Sequence, residues 1–401
     1  MHTAPSALSI HKYLPLAILY FFFNSFGLPV GLFYTTLLSP LFFVWLFLEG
    51  KRWLTLKLFL VLSPIIVAHA ILGIESLTYY VRSAALLWTA YITVYAFCWA
   101  LLKCNNIDRL FEELIVLNFC AAIVAVGLLF TPLNAIAWHD DSLIMPGASS
   151  VLRLRLLSSE PSVYANLMVP LLLFAVLRLF HKPTKRSFLY AAMIIFPFLL
   201  CQSFGGIAMC IAGLGGALMT AFRHLFKQRR TLLVLALVIV VVAGLLIVPN
   251  PISERVFQAA AGTDSSTNSR TTFSFIVAYS VAASKSLWWG KGLGQGKLYD
   301  VSDLGVGFTV GIIPNAIAGT FAELGIFGVL VKFAAEFYLF FRTRVLANPF
   351  RLAIFIVAFV AQLTGSYLMN VQEYLMWCFA FAPFFPSMDL HKNSSSKQLP
   401  A

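Results

Sequence analysis

Long apolar runs recur along almost the whole chain, broken only by short polar stretches. A helix needs about 20 apolar residues to cross the hydrocarbon core of a bilayer. Twelve segments approach that length, at roughly 13–28, 30–49, 53–72, 80–102, 110–130, 162–180, 187–203, 204–222, 231–249, 316–341, 352–369 and 374–389. Soluble domains are about 45–50% apolar and about 25% charged. Here the fractions are 60% and 11%, too much apolar surface for a water-soluble fold of this size to hide. The pattern predicts an all-α fold: one polytopic transmembrane helix bundle over residues 1–401, with about 12 spans. Tight hairpins at the first and the seventh–eighth pairs leave eleven or thirteen spans open. The first apolar run continues with no small-residue cleavage site after it, so it reads as a span and not as a signal peptide.

The formal net charge is +12, from 28 Lys and Arg against 16 Asp and Glu. The basic residues collect in alternate short breaks: Lys51 and Arg52; Lys103 and Arg109; Lys182, Lys185 and Arg186; Arg223, Lys227, Arg229 and Arg230; Arg342, Arg344 and Arg351. Such loops face the cytoplasm. Lys12 and Lys392 put both termini on that side. The positive charge therefore reports topology and gives no reason to expect nucleic acid. Six cysteines lie in or at the edge of apolar segments, with no CxxC among them. Neither a disulfide nor a cysteine-held metal is expected.

Two long loops remain on the opposite, periplasmic face, at 131–161 and 250–315, both expected to contain short helices. Long connections in a compact bundle are usually functional. In the first, Arg153 and Arg155 precede Glu160 and Pro161 at the start of a span. Outward-facing arginines owe nothing to the positive-inside rule, and a guanidinium grips phosphate oxygens in a two-pronged fork. A salt bridge between Arg155 and Glu160 is the structural alternative. In the second, a polar stretch at 262–269 leads to Arg270, which opens an apolar run ending in Trp288 and Trp289. That run predicts a helix near the outer surface, capped by Asn268 or Ser269. GKGLGQGK (290–297) and GVGFTVGIIPN (305–315) follow. Asn315 then enters a span holding Glu323, and a carboxylate within a span faces a cavity or a partner. Lys332 and Glu336, four apart on that helix, are expected to neutralise each other. Gly205, Ala208, Ala212 and Gly216 allow close helix approach.

Other signals fail. GKGLGQGK lacks the glycine and hydroxyl spacing of a phosphate-binding loop. His139-Asp140-Asp141 is a weak metal set, and no HExxH is present. No metal and no cofactor are expected.

At these positions the chain resembles the O-antigen polymerase and O-antigen ligase superfamily, on the polymerase (Wzy-like) side. The likeness rests on Arg153 seven residues before Glu160-Pro161-Ser162; on Arg270, then Trp288, Trp289, Gly292 and Gly294; and on Asn315 followed by Glu323, Gly325 and Gly328. Leu156 stands where a Gly is common. Pro314 stands where the ligases carry a His, which favours the polymerase side.

The resemblance implies an inner-membrane glycosyltransferase for O-antigen, capsule or exopolysaccharide. It would move a glycan from undecaprenyl pyrophosphate to a sugar hydroxyl of a lipid-linked repeat unit at the periplasmic face. Arg153 and Arg270 would clamp the pyrophosphate, with Arg155 in support. Glu160 would act as base or orient an arginine, and Asn315 and Glu323 would line the cavity. Partners would be the lipid-linked glycans, membrane lipid, a chain-length regulator and a flippase. Two rival functions are a ligase delivering finished glycan to lipid A core or protein, and a flippase or exporter of lipid-linked oligosaccharide. Few charges at mid-span (Lys57, Lys332, Glu336) disfavour the flippase.

Overall fold

The computed structural model describes residues 10–24, 34–104, 106–140, 152–225, 257–258, 261–262, 265–299, 313–364 and 370–390. The described residues are about 78% helical. The helices are α1 (Ile10–Phe23), α2 (Tyr34–Leu48), α3 (Leu54–Leu72), α4 (Leu77–Leu102), α5 (Ile107–Leu128), α6 (Asn134–Ala137), α7 (Pro161–His181), α8 (Lys185–Leu200), α9 (Phe204–Leu225), α10 (Ser265–Asn268), α11 (Ser274–Ala283), α12 (Ala316–Arg342), α13 (Pro349–Thr364) and α14 (Val371–Phe381). Five of them, α3, α4, α5, α7 and α12, are long and apolar enough to cross a membrane. The expected span at 231–249 lies outside the described residues, as do Asp141 and residues 305–312.

Local sequence starts several of these helices. Asn106, Thr184 and Asn370 each accept a main-chain N–H from the first turn through the side chain, supplying a partner that the helix itself cannot. Pro161 sits at the first position of α7, where a missing N–H is harmless.

The bundle is built around α7, with 78% of its apolar window buried. Phe111 of α5, Phe174 of α7, Phe350 of α13 and Phe385 pack ring to ring, Phe350 and Phe385 at 4.5 Å. Glycines of α9 admit its neighbours. Gly213 lies against Leu173, Ala353 and Val357, Gly216 against Ile356, and Gly206 against Ala165. Gly205 faces open space, so the close approach runs through Gly206, Gly213 and Gly216.

These contacts fix directions. Phe174, in the second half of α7, and Phe350, at the very start of α13, both pack on Phe111 and Phe385, so α13 stays against the bundle only by running back along α7, antiparallel to it. The starts of α7 and α9 therefore lie at the same end of the bundle as the end of α13.

Four local expectations change. The 131–161 loop holds, besides α6, a two-stranded antiparallel ribbon, β1 (Trp138–Asp140) with β2 (Leu152–Leu154). The expected 374–389 span is a helix only to Phe381, 11 residues long. The α12 span is broken at Gly325, whose φ of 67° and ψ of −167° are not helical. Cys98 of α4 and Cys378 of α14 form a disulfide with Cα atoms 6.2 Å apart. Their separation of 280 residues left no spacing motif to read.

Candidate functional site

The ribbon places Arg153. Its strand pairs His139 opposite Arg153, and the Trp138 indole N–H donates to the Ala125 carbonyl at 2.7 Å, pinning the ribbon to α5. Arg153 is only 8% exposed. Its Nε donates to the Cys201 carbonyl at 3.0 Å, in the turn between α8 and α9.

Arg155 makes no salt bridge with Glu160. Its guanidinium donates instead to the carbonyls of Ala135 (2.7 Å) and Ser159 (3.3 Å). A planar fork that reaches two fixed carbonyls holds the loop's shape. Glu160 is the residue before α7 and exposed; its Oε2 accepts the Ser162 hydroxyl at 3.1 Å. Between them, Leu156 adopts φ 46° while 6% exposed. A left-handed residue that is not glycine is strained, and burial of the leucyl side chain offsets that strain.

Arg270 does not open a helix. It lies inside a continuous helical stretch, in a π-helical turn (Ser269–Phe273) between α10 and α11. Neither Asn268 nor Ser269 caps this stretch, and Asn268 donates back to the Gly262 carbonyl at 2.8 Å. A π turn widens the helix by one residue, and such bulges often occur at functional sites. The Arg270 side chain is half-buried, and its guanidinium has no hydrogen bond or ion pair among the described residues.

Asn315 is wholly buried. Its Oδ1 accepts the Ala318 N–H at 2.9 Å, and its Nδ2 donates to the carbonyls of Arg270 (3.0 Å) and Leu363 (2.6 Å). Every polar atom of that side chain is thus used to join the π turn, α12 and α13. Asn315 positions Arg270's backbone.

From that junction α11 and the first half of α12 run side by side in the same direction, packed through Val277, Ala278 and Val281 against Ala318 and Ala322. The expected surface helix is therefore half-covered. At the far end the two interlock. Lys291 and Gly292 N–H donate to the Ala322 and Glu323 carbonyls at 2.8 and 3.0 Å, while Ile326 and Phe327 N–H donate to Leu287 and Trp288 at 2.9 and 3.1 Å. The break at Gly325 is what frees those α12 groups to pair with the loop. A Cβ on Gly325 would sit 2.3 Å from the Trp288 main chain, and one on Gly290 would sit 2.5 Å from that of Glu323. Glu323 itself has Oε2 buried without a partner, while the Gly294 N–H faces its carboxyl and Lys297 is the nearby cation.

The loop also grips the α3–α4 connection. Gln295 clasps Ser76 with both ends of its amide, each bond 2.8 Å. Lys291 pairs with Glu75 at 3.4 Å. His69 uses both ring nitrogens, Nε2 on the Trp289 carbonyl (2.7 Å) and Nδ1 on the Tyr80 hydroxyl (3.1 Å). A lone glutamine between two glycines was the only trace of this clasp in the sequence.

Arg153 is tied to the turn that begins α9, Glu160 begins α7, and Arg270 is tied to the end of α13. All three stand at one end of the bundle. The basic loops collect at the other. There Glu112 pairs with Arg178 and, at 2.7 Å, with Arg186. The Tyr190 hydroxyl and Glu112 together hold Arg186 above its ordinary pKa. An open cavity of about 890 Å³ at that end is lined by Arg109, Arg178 and Arg186 against Asp108, Glu112 and Glu113, so its charges cancel.

A scan against protein-family models finds no match to the chain, and neither does a search of curated proteins. Among the described residues no group of three or more His, Cys, Asp or Glu could hold a metal ion.

Proposed function

We propose that this chain is a polymerase of bacterial surface polysaccharide, a metal-independent glycosyltransferase with a lipid pyrophosphate donor. In this reading it has about twelve spans in the inner membrane, both termini cytoplasmic, and its reaction at the periplasmic face. One observation carries it: Arg270, half-buried and with a guanidinium uncommitted among the described residues, stands at the same end of the bundle as Arg153 and Glu160. A half-buried guanidinium with no partner among the described residues is suited to an anion that arrives from outside the chain.

A lipid-linked pyrophosphate supplies that anion. The acceptor sugar hydroxyl attacks the anomeric carbon, the bond to the pyrophosphate oxygen breaks, and the hydroxyl proton leaves to a base. Arginines on the departing oxygens stabilise charge as it develops, and holding the two lipid-linked chains together supplies positioning. Glu160, exposed and with its carboxylate bonded among the described residues only to Ser162 in its own turn, is the group for the proton. Arg155 supports the loop under Arg153. Glu323 shapes the floor of the site through the loop it holds. His69 has both nitrogens engaged, which disfavours a ligase with a histidine base.

The test is the length profile of surface polysaccharide, by gel, in a deletion strain complemented with wild type, Arg153→Ala or Arg270→Ala at matched membrane levels. Wild type should restore long chains, and both variants should leave single repeat units. Long lipid-linked chains that accumulate unattached indicate a ligase. Absence of any glycan at the outer face indicates a flippase.

A further inference from the structure

A second group of cations lies at the connection between α3 and α4, past the end of α11 that is far from Arg270. α3 begins after Lys51 and Arg52 and α4 ends at Lys103, so residues 73–76 between them stand at the end away from the basic loops. Lys285 and Lys291 both reach Glu75 there, at 3.9 and 3.4 Å. The Lys285 ammonium also donates to the Gly73 carbonyl, and that of Lys291 lies 5.2 Å from the centre of the Tyr299 ring. The Lys291 side chain is 7% exposed and that of Glu75 44%, so the group is buried on the lysine side and open at the carboxylate.

Charge and position set this group apart. Inside the bundle, Lys332 lies between two carboxylates, Glu336 at 3.1 Å and Glu373 at 2.6 Å; the expected pairing with Glu336 exists, but the shorter bond goes to Glu373. Around Glu75 the ratio is reversed, with two ammoniums to one carboxylate. Arg82 and Lys297 flank them. Arg82 stands beside Ser83, which lies against Gly294, and Lys297 follows Gly294 by three residues. Both are exposed, with no hydrogen bond or ion pair among the described residues. Cations at this end owe nothing to the preference that fills the basic loops. Two lysines largely out of water that share one carboxylate are suited to an anion from outside the chain. As to position, Lys285 and Arg270 bracket α11, whose ten residues span about 15 Å at a rise of about 1.5 Å each. Two cationic sites thus stand at one end of the bundle, separated by the length of that helix.

We propose that Lys285 and Lys291 hold the diphosphate of the acceptor lipid, while Arg153 and Arg270 hold that of the donor. The identity of the lipid rests on the polymerase reading. That reaction brings two lipid diphosphates to one protein. The donor loses its diphosphate as the bond to its anomeric carbon breaks. The acceptor keeps its own, and its attacking hydroxyl lies out along its glycan. The acceptor's diphosphate therefore rests away from the reacting carbon by the length of glycan between them. Cationic sites at the two ends of α11 meet that demand. Lysines suit the site where the diphosphate is only held, and guanidinium forks the site where it departs. Glu75 holds the lysines together in the empty site and repels the ligand in the filled one.

The test uses the full-length protein in nanodiscs of phosphatidylcholine, titrated with radiolabelled farnesyl diphosphate, a short polyprenyl diphosphate. Wild type should bind two per chain and Arg270→Ala one. In the Arg270→Ala background, Lys285→Gln and Lys291→Gln should each weaken the remaining binding by about tenfold or more, and Glu75→Gln should strengthen it. If the network serves stability alone, Glu75→Gln weakens binding as the lysine variants do, or none of the three changes it; either result overturns the proposal. If Lys291→Gln fails to fold, Lys285→Gln and Glu75→Gln carry the comparison through their opposite signs. Displacement of the lysine-dependent ligand by an equal concentration of phosphatidylglycerol or inorganic phosphate identifies an ordinary headgroup or free phosphate, and overturns the acceptor assignment. Lysine-dependent binding in a chain that fails the gel test keeps the anion site and rejects the polymerase reading. A chain that passes the gel test, with lysine variants that bind and elongate as wild type does, rejects this site alone.

Discussion

The side-chain amide of Asn315 donates to the main-chain carbonyl of Arg270 at 3.0 Å. That bond ties the π turn to the start of α12, and the companion bond to Leu363 ties both to the end of α13. Asn315→Ala removes three hydrogen bonds and leaves two carbonyls without this donor. The expected loss is about 2–4 kcal/mol, read as a lower unfolding temperature in detergent. Asn315→Asp keeps only the bond from Ala318 and should fall below wild type too. Wild-type stability in Asn315→Ala would show that no latch exists.

Arg153 and Arg270 should separate under mutation. The Arg270 guanidinium has no partner within the described chain, so Arg270→Ala should stay within about 0.5 kcal/mol of wild type while chain growth stops. Arg153→Ala leaves the Cys201 carbonyl without its donor and should cost about 1–3 kcal/mol in addition to the loss of long chains. Thermal unfolding beside the gel profile distinguishes them. Equal destabilisation by both variants would contradict the assignment.

Gly325→Ala and Gly290→Ala place a methyl into facing main chain at a positive φ, and neither backbone can withdraw without breaking the interlock. Each should cost at least about 2 kcal/mol and lower the level of folded protein in the membrane. Gly205→Ala, facing open space within α9, should be neutral or stabilising by up to about 1 kcal/mol.

His69 is held as one tautomer. The Trp289 carbonyl can only accept, so Nε2 carries the hydrogen and Nδ1 accepts from the Tyr80 hydroxyl. His69→Phe strands both partners and should lower stability by about 2–4 kcal/mol, while the folded fraction still makes long chains. Normal protein levels with chain growth abolished would instead make His69 a catalytic base.

Local sequence sufficed wherever the deciding interactions lie within a helical turn or along one apolar run. Apolar length marked the five helices long enough to cross a membrane; the side chains of Asn106, Thr184 and Asn370 start helices by bonds within their own first turns; the arginines of the long loops stood out by chemistry alone. Tertiary structure decided what depends on partners far along the chain. Gln295 clasps Ser76 across 219 residues, and the break at Gly325 has meaning only because Leu287–Gly292 arrive to bond the groups it frees. Arg155 and Glu160, five residues apart, looked like a pair, yet Arg155 found main-chain carbonyls at Ser159 and at Ala135, 20 residues away, and Glu160 a hydroxyl in its own turn. Lys332 and Glu336 looked self-sufficient on one helix until α14 brought Glu373 closer. Side-chain direction around a helix can be counted from sequence, but which neighbouring helix stands there is set by packing of the whole bundle. A buried charge or main-chain group bonds to whatever that packing delivers.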